Sequence, residues 1–278
     1  MSHDDSRLLR NDTNAFDALR SGAAERFGVD AGAVEKEYWA MEVLRSATAP
    51  FDGVDEFVFK GGTSLSKGYG IIERFSEDID LLVITDATGN PLKKLLRRIA
   101  DRVASDLIVG QERDVEGRGF LNARYSYPVR RQVGFLSAGV LLEMGSRGGP
   151  LPNQRRPVRS MMSEAADAIN LDAAMRYHDL VAFDVVVLAP ERTLAEKLAF
   201  LHHRATAGDV AALAEGARHL YDVAMLLNNA DVRSALANGE VIQELMVDID
   251  ARSEAAGWPY TLRPELGFAN SQIGRAHV

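Results

Sequence analysis

At 278 residues the chain is long for a single domain and admits two lobes. Its 46% apolar and 26% charged residues are those of a globular chain with a sizeable core, which excludes disorder. The absence of cysteine excludes disulfides, thiolate nucleophiles and Cys-held zinc, and a net charge of −8 disfavours binding nucleic acid through the surface as a whole.

No apolar run reaches the roughly 18–20 residues that cross a bilayer, and the opening MSHDDSRLLR lacks the apolar core of a signal peptide. A cytoplasmic location without membrane contact is therefore expected. Three basic clusters run against the overall charge: Lys93, Lys94, Arg97 and Arg98; Arg130 and Arg131; and Arg147, Arg155, Arg156 and Arg159. Each is either a solvated face or a phosphate contact.

In chain order, residues 1–12 are polar and expected to fray. Phe16, Leu19 and Phe27 predict a helix ending near Gly28, and Val34, Tyr38, Met41 and Leu44 predict a second over 33–47, with Glu35, Lys36 and Glu37 as surface charges. Residues 54–60, with Phe57, Val58 and Phe59 consecutive, read as a strand buried on both faces. Gly61 and Gly62 end it, and Thr63 and Ser64 are suited to start a short helix that stops at Gly68 or Gly70. Residues 76–84 form the next strand. Pro91 opens a helix to Ile108, 110–119 reads as a polar connection, and strands follow at 120–127 and 137–144. The Gly/Pro/Arg run at 145–157 is expected to be mobile or to contact a ligand. Val158 to Ser160 extends, a mixed region runs to His178, and FDVVVL at 183–188 is a buried strand. From Pro190 the pattern turns wholly helical, over 191–205, 210–229 and 231–253. The division expected is 1–189 for a first lobe with its N-terminal helices and 190–272 for a helical lobe, with IGRAHV at 273–278 suspected as a non-native tail.

The densest chemistry lies in FVFKGGTSLSKGYGIIERFSEDIDLLVI, residues 57–84. Asp78 and Asp80 are two apart on a strand, so both carboxylates project from one face while Ile79 points to the other. Adjacent like charges are costly without a cation, and Mg2+ takes oxygen ligands of this kind together with phosphates. Acidic pairs are also common on solvated strand edges, so the pair gains weight from the strand, Gly-Gly turn and hydroxyl-rich helix entry before it. Glycines there let backbone N–H groups approach a phosphate. Ser76 would share the face of Asp78 and reach the phosphates or the ion. A Walker A loop and a GxGxxG fingerprint are both absent.

Strand, Gly-Gly-Thr-Ser, helix, and strand with Asp-Ile-Asp resemble the nucleotidyltransferase superfamily of the DNA polymerase beta type. FKGGTSLSKGYGIIERFSEDIDL resembles the signature of the AbiEii/AbiGii toxin family, whose MenT-like members are nucleotidyltransferases acting on tRNA. The resemblance implies an α+β, bilobed fold with a mixed sheet, flanking helices and a C-terminal helical lobe. It also implies a third acid, Glu143 in GVLLEMG, completing a metal set with Asp78 and Asp80; the plainer reading of Glu143 is an exposed strand-end acid. A helical Lys in PERTLAEKL corresponds to Lys197, whose stem flanks Leu194 and Leu201. The family pattern Arg-Asp-x-x-Asp falls on Arg218, His219, Leu220, Tyr221 and Asp222, with His219 in place of the first Asp; the plainer reading is an i,i+4 ion pair of Arg218 with Asp222.

The implied reaction moves NMP from an NTP to an RNA hydroxyl, the 3' end of a tRNA, with Mg2+ or Mn2+ held by Asp78, Asp80 and Glu143. Lys197 and Asp222 join the catalytic set, and Gly61, Gly62, Thr63, Ser64, Ser76, Lys197 and Arg218 bind the nucleotide. The chain would be a toxin of a toxin-antitoxin or phage-defence system, with a cognate antitoxin as partner. Two alternatives stand beside it: a protein hydroxyl as acceptor, and a nucleotide-binding interaction module without turnover.

Overall fold

The computed structural model describes residues 7–76, 78–117, 119–130, 137–168, 176–208, 216–256 and 261–262. Its contacts divide the chain into two units: Met1–Phe59, Phe75–Ser146 and Arg155–Val187 form the first, and Lys60–Arg74, Arg147–Gln154 and Leu188–Val278 the second. Two short segments, Lys60–Arg74 and Arg147–Gln154, thus belong with the C-terminal helices. The suspected tail at 273–278 lies outside the described residues, as does Arg131. Among the described residues no helix is long and apolar enough to cross a membrane.

The first unit opens with a 3-10 turn at Leu9–Asn11, followed by α1 (Thr13–Phe27) and α2 (Ala31–Thr48). Residues 7–12 are tied down rather than frayed. Leu9 is fully buried, its N–H donates to Asp179 Oδ1 (2.9 Å), and Asp12 caps α1 through Ala15 N–H. α1 ends at Gly28 in the left-handed region (φ 65°), as its sequence predicts.

α2 corrects the expectation of surface charges. Glu35, Lys36, Glu37 and Glu42 are all buried, because α2 packs on α1, α4, α5 and the sheet together. Each charge is matched locally. Glu35 takes Arg20 (3.2 Å) and the N–H of Arg130 (2.8 Å), and Lys36 Nζ donates to the carbonyl (2.7 Å) and hydroxyl (2.8 Å) of Ser137. Glu37 accepts from Met161 N–H (2.9 Å), and Glu42 takes Arg10 (2.9 Å) and Arg45 (3.1 Å).

The sheet has seven strands: β1 (Glu56–Lys60), β2 (Asp78–Ile84), β3 (Gly110–Gly117), β4 (Phe120–Ser126), β5 (Val140–Gly145), β6 (Asn153–Val158) and β7 (Phe183–Leu188). Their order is β3-β4-β5-β2-β1-β7-β6. β3, β4 and β5 are antiparallel neighbours, whereas β5 with β2 and β1 with β7 are parallel, so the sheet is mixed. Two strands were not expected. β3 occupies the polar connection, since an edge strand half open to water needs no apolar run, and β6 lies within the Gly/Pro/Arg stretch. β2 starts at Asp78, not at 76, so the period-of-two argument does not extend to Ser76.

α4 (Gly89–Leu107) lies against α2, β3 and β4 and buries Leu92, Leu95, Leu96, Ile99 and Val103. α5 (Met161–Ala168) completes the layer against α1 and α2. Ile79 and Leu81, Val140, Leu142 and Met144, and Leu121, Ala123 and Tyr125 are buried on one sheet face. Asp78 and Asp80, Glu143, and Asn122 alternate with them and so stand on the other.

In the second unit, α3 (Gly61–Lys67) starts two residues earlier than predicted, with both glycines inside its first turn. The helices α6 (Pro190–Thr206), α7 (Ala217–Asn228), α8 (Ala230–Leu236) and α9 (Gly239–Ala256) follow. The predicted helix over 231–253 is two helices, because Asn238 leaves the first and its side chain accepts from Glu240 N–H (3.2 Å) at the start of the second. Leu65, Ile71 and Ile72 share a core with Leu194, Leu201, Val223, Leu226 and Val232, which joins residues 60–74 to the helices.

Candidate active site

The carboxylates belong to the first unit. Parallel pairing of β2 with β5 sets Asp80 beside Glu143, and antiparallel pairing of β5 with β4 sets Glu143 beside Asn122. Three polar side chains therefore form a row across three strands, with Asp78 two residues along the same face. Asn122 Nδ2 donates to Glu143 Oε1 (2.7 Å), fixing that carboxyl. Burial, the Asp80 charge and the Asp78 charge push the pKa of Glu143 up to about 7. It is a partly buried member of an acid row, not an exposed strand-end acid. Among the described residues no group of three or more His, Asp or Glu side chains is gathered into a ready cation cage. Asp80 and Glu143 are register partners on adjacent strands, and protonation of Glu143 relieves the repulsion between them.

The cations and the glycine turn belong to the second unit. Gly61 has φ 78°, a conformation that a side chain would strain, so the chain turns from β1 into α3 at a residue that must be glycine. The first-turn N–H groups of α3 have no partner within the helix. Thr63 and Ser64 are buried. Ser64 Oγ donates to Gly61 O (2.9 Å) and Ser66 Oγ to Thr63 O (3.0 Å), so the Ser64 hydroxyl holds the turn together and would have to exchange that bond to donate to a phosphate.

Lys197, on α6, is 9% exposed. Its Nζ lies 2.9 Å from Asp222 Oδ2 and 3.1 Å from His219 Nδ1. Asp222, fully buried on α7, also takes both arms of Arg74: Nε to Oδ1 and Nη2 to Oδ2, each 2.7 Å. Burial opposes the charge of Asp222, but Arg74 and Lys197 outweigh it and hold the carboxyl below its ordinary range. The expected Arg218 pairing gives way to this arrangement. Both Asp222 oxygens are held by Arg74 and Lys197, while Arg218 is exposed on the same helix. His219 is pushed down to about 4 by burial and by the neighbouring Lys197 and Arg218, so the imidazole is neutral and its Nδ1 accepts from Lys197. A neutral acceptor thus stands where the family pattern has an acid.

Sequence reasoning missed Arg74 and Asn122. Arg74 sits 148 residues from Asp222, a separation to which no periodicity applies, and Asn122 becomes visible only once the register of β4 on β5 is known.

Two basic clusters also resolve. Lys93 (3.3 Å) and Arg97 (2.6 Å) both engage Glu116, and Arg98 lies 5.0 Å over Phe51. Within the third cluster, Arg159 pairs with Asp167 in the first unit, whereas Arg147 belongs to the second.

The sequence matches the family model described as nucleotidyl transferase AbiEii toxin, type IV toxin-antitoxin system, over residues 43–271. The chain belongs to the AbiEii family. That span takes in the Gly-Gly turn, Asp78, Asp80, Glu143, Lys197 and Asp222. Similar solved structures include MenT4, a nucleotidyltransferase toxin from Mycobacterium tuberculosis H37Rv, at 20% identity and a TM-score of 0.43 over 66% of this chain. The match covers 59% of MenT4, less than two thirds of its length. A protein from H. pylori assigned as a nucleotidyltransferase is 16% identical, with a TM-score of 0.39 over 82% of this chain and 98% of that one. JHP933 from Helicobacter pylori is 16% identical, at 0.34 over 78% and 95%. No curated protein matches the sequence.

Proposed function

We propose that this AbiEii-family chain is the toxin of a toxin-antitoxin pair and moves NMP from an NTP to an RNA hydroxyl, with the 3' end of a tRNA as acceptor. The observation that carries the reading is the Asp80–Glu143–Asn122 row with Asp78 on the same sheet face, in a chain matched to the family over residues 43–271.

Three carboxylates offer an all-oxygen donor set, and the crowding that raises the pKa of Glu143 is a repulsion that a cation would also relieve; the donor chemistry therefore fits Mg2+ or Mn2+. Asp78, Asp80 and Glu143 would hold the ion, which when bound lowers the pKa of the acceptor hydroxyl and neutralises charge at the α-phosphate. The chain's own groups do the rest. Asn122 keeps one Glu143 oxygen oriented. Backbone N–H groups of Gly61, Gly62 and Thr63 bind the β- and γ-phosphates, with Ser64 and Ser76 as further hydroxyl donors. Lys197 screens the triphosphate and is steadied by Asp222 and His219, which spare it a wandering side chain. Arg218, exposed on α7, adds a cation toward the nucleotide. The acceptor oxygen attacks the α-phosphorus, and the bond to pyrophosphate breaks as the new phosphodiester forms.

The test is incubation of each labelled NTP with Mg2+ and total RNA, and with protein alone, using Asp80→Ala as control. Label in RNA that disappears with Asp80→Ala supports the reading. Label in protein would make a protein hydroxyl the acceptor, and NTP binding without transfer would reduce the chain to a binding module.

A further inference from the structure

The second unit contains a cavity of about 330 Å3 that the proposed chemistry does not use. One wall is a single face of α6, at the helical spacing of Arg192, Glu196, Phe200 and His203. α9 supplies Ile249 and Arg252, and Lys60 and the loop at Arg147 and Gly148 close the sides. Among the described residues five permanent cations (Lys60, Arg147, Arg192, Arg204 and Arg252) line it against one carboxylate, Glu196. Arg192 and Arg252 share Asp248, at 2.6 and 2.8 Å. Lys60 makes no ion pair among the described residues.

The loop that forms one side is anchored. Arg252 donates to Gly148 O (2.9 Å) and Arg192 to Leu151 O (3.1 Å). Gly149 lies against the Arg192 guanidinium so closely that any side chain there would overlap it. Within this charged rim stands one exposed aromatic, Phe200, with 39% of its surface open. Arg204 sits 5.2 Å from its ring, and the ring meets His219 edge-on at 5.1 Å; His219 in turn contacts Lys197. An aromatic ring among cations binds a base on the ring and a phosphate on the charges, and a volume near the bottom of the about 300–1,000 Å3 usual for ligand sites suits one nucleotide rather than a duplex.

We propose that this cavity holds one nucleotide unit, its base against Phe200 and its phosphate on Lys60, Arg147 and Arg204. Two sources share that chemistry: a free NTP, and the terminal nucleotide of a single-stranded RNA. The proposal rests on the nucleotidyl-transfer reading for its choice of ligand, but its test does not require turnover.

Full-length protein carrying Asp80→Asn, in EDTA, is titrated into a fluorescently labelled single-stranded RNA tetranucleotide, and binding of each of the four NTPs is measured separately by calorimetry. Phe200→Ala is expected to weaken one of the probes about ten-fold or more, with Phe200→Tyr staying within about two-fold, since stacking is what changes. Lys60→Ala and Arg147→Ala should each flatten the salt dependence of the same probe. A loss confined to the oligonucleotide assigns the cavity to an RNA end, a loss confined to NTP assigns it to the nucleotide substrate, and loss of both means that it accepts either. Unchanged affinity for both probes in Phe200→Ala overturns the proposal; so does a loss matched by Phe200→Tyr. If Phe200→Ala lowers the melting temperature, Arg147→Ala decides instead, and unchanged affinity and salt slope there overturn it. Binding by this criterion without any transfer by the wild-type protein would sink the transfer reading and leave the cavity assignment standing.

Discussion

Asp222→Asn removes a buried charge on which Arg74 and Lys197 both depend. Asp222 is fully buried and accepts from Arg74 at 2.7 and 2.7 Å and from Lys197 at 2.9 Å. Asparagine keeps the shape but offers one acceptor, and its NH2 group would face a guanidinium or an ammonium. Lys197, 10% exposed in its side chain, then loses its counter-charge with little water to replace it. Removing one partner of such a buried pair costs about 3–5 kcal/mol; Arg74, whose side chain is 21% exposed, recovers some hydration and points to the lower end, about 3 kcal/mol. At about 2–4 °C per kcal/mol for a chain of this size, the melting temperature should fall by roughly 6–12 °C. Differential scanning calorimetry at neutral pH reads it directly. Lys197→Met in the Asp222→Asn background should restore part of the loss, because the unpaired ammonium is gone. A fall of less than about 2 °C for Asp222→Asn alone, roughly under 1 kcal/mol, would refute the idea of a desolvated charge cluster.

Asp78→Ala or Asp80→Ala should each abolish any growth arrest caused by expressing the chain, and full toxicity in both would remove the carboxylates from the chemistry. Glu143→Gln should stop transfer yet raise the melting temperature of the metal-free protein at pH 8. Its pKa of about 7 means that above that pH folding must bury an ionised carboxylate next to the charges of Asp80 and Asp78, a penalty on the order of 1–3 kcal/mol that the neutral amide avoids; an unchanged or lower melting temperature counts against this. His219 gives the opposite pH window. Its folded pKa is depressed to about 4 from 6.5, so stability is complete above about 6.5 and drains away as pH falls toward 4, where the protonated ring would face Lys197, Arg218 and Arg74. His219→Asn keeps an acceptor for Lys197 and should flatten the melting profile between those values; superimposable profiles would contradict it. Gly149→Ala should cost about 1–3 kcal/mol by displacing the Arg192 guanidinium from Asp248 and Leu151 O, measurable by urea denaturation as a lower midpoint; no change in midpoint would mean that the loop moves aside freely.

The acid pair was legible because a strand's period of two is rigid, so Asp78 and Asp80 had to share a face once residues 78–84 were read as a strand. Glu143 came from family likeness, and only the register of β5 on β2 puts it next to Asp80. α2 was misread for a physical reason: a helix enclosed on several sides buries Glu35, Lys36 and Glu37 at the cost of giving each a partner, and the partners are loop atoms, such as Ser137 O and Met161 N–H, that no pattern in α2 announces. The strand at 110–117, GQERDVEG, hid because hydrogen bonds to β4 rather than apolar alternation hold it. The divided second unit was invisible too, since Ile71 and Ile72 read as ordinary apolar residues until they are seen among Leu194, Leu201 and Leu226.

That division has a consequence for how the protein is made. Arg74 leaves the ribosome long before Asp222, which follows 148 residues later, and residues 60–74 have no helical core to join until α6 and α7 exist. A nascent or truncated chain ending before Asp222 carries the glycine turn and the complete acid row but lacks the carboxylate that fixes Lys197 and Arg74. Synthesis of α7 is the step that assembles the cation cluster, and any fragment short of it is built without one.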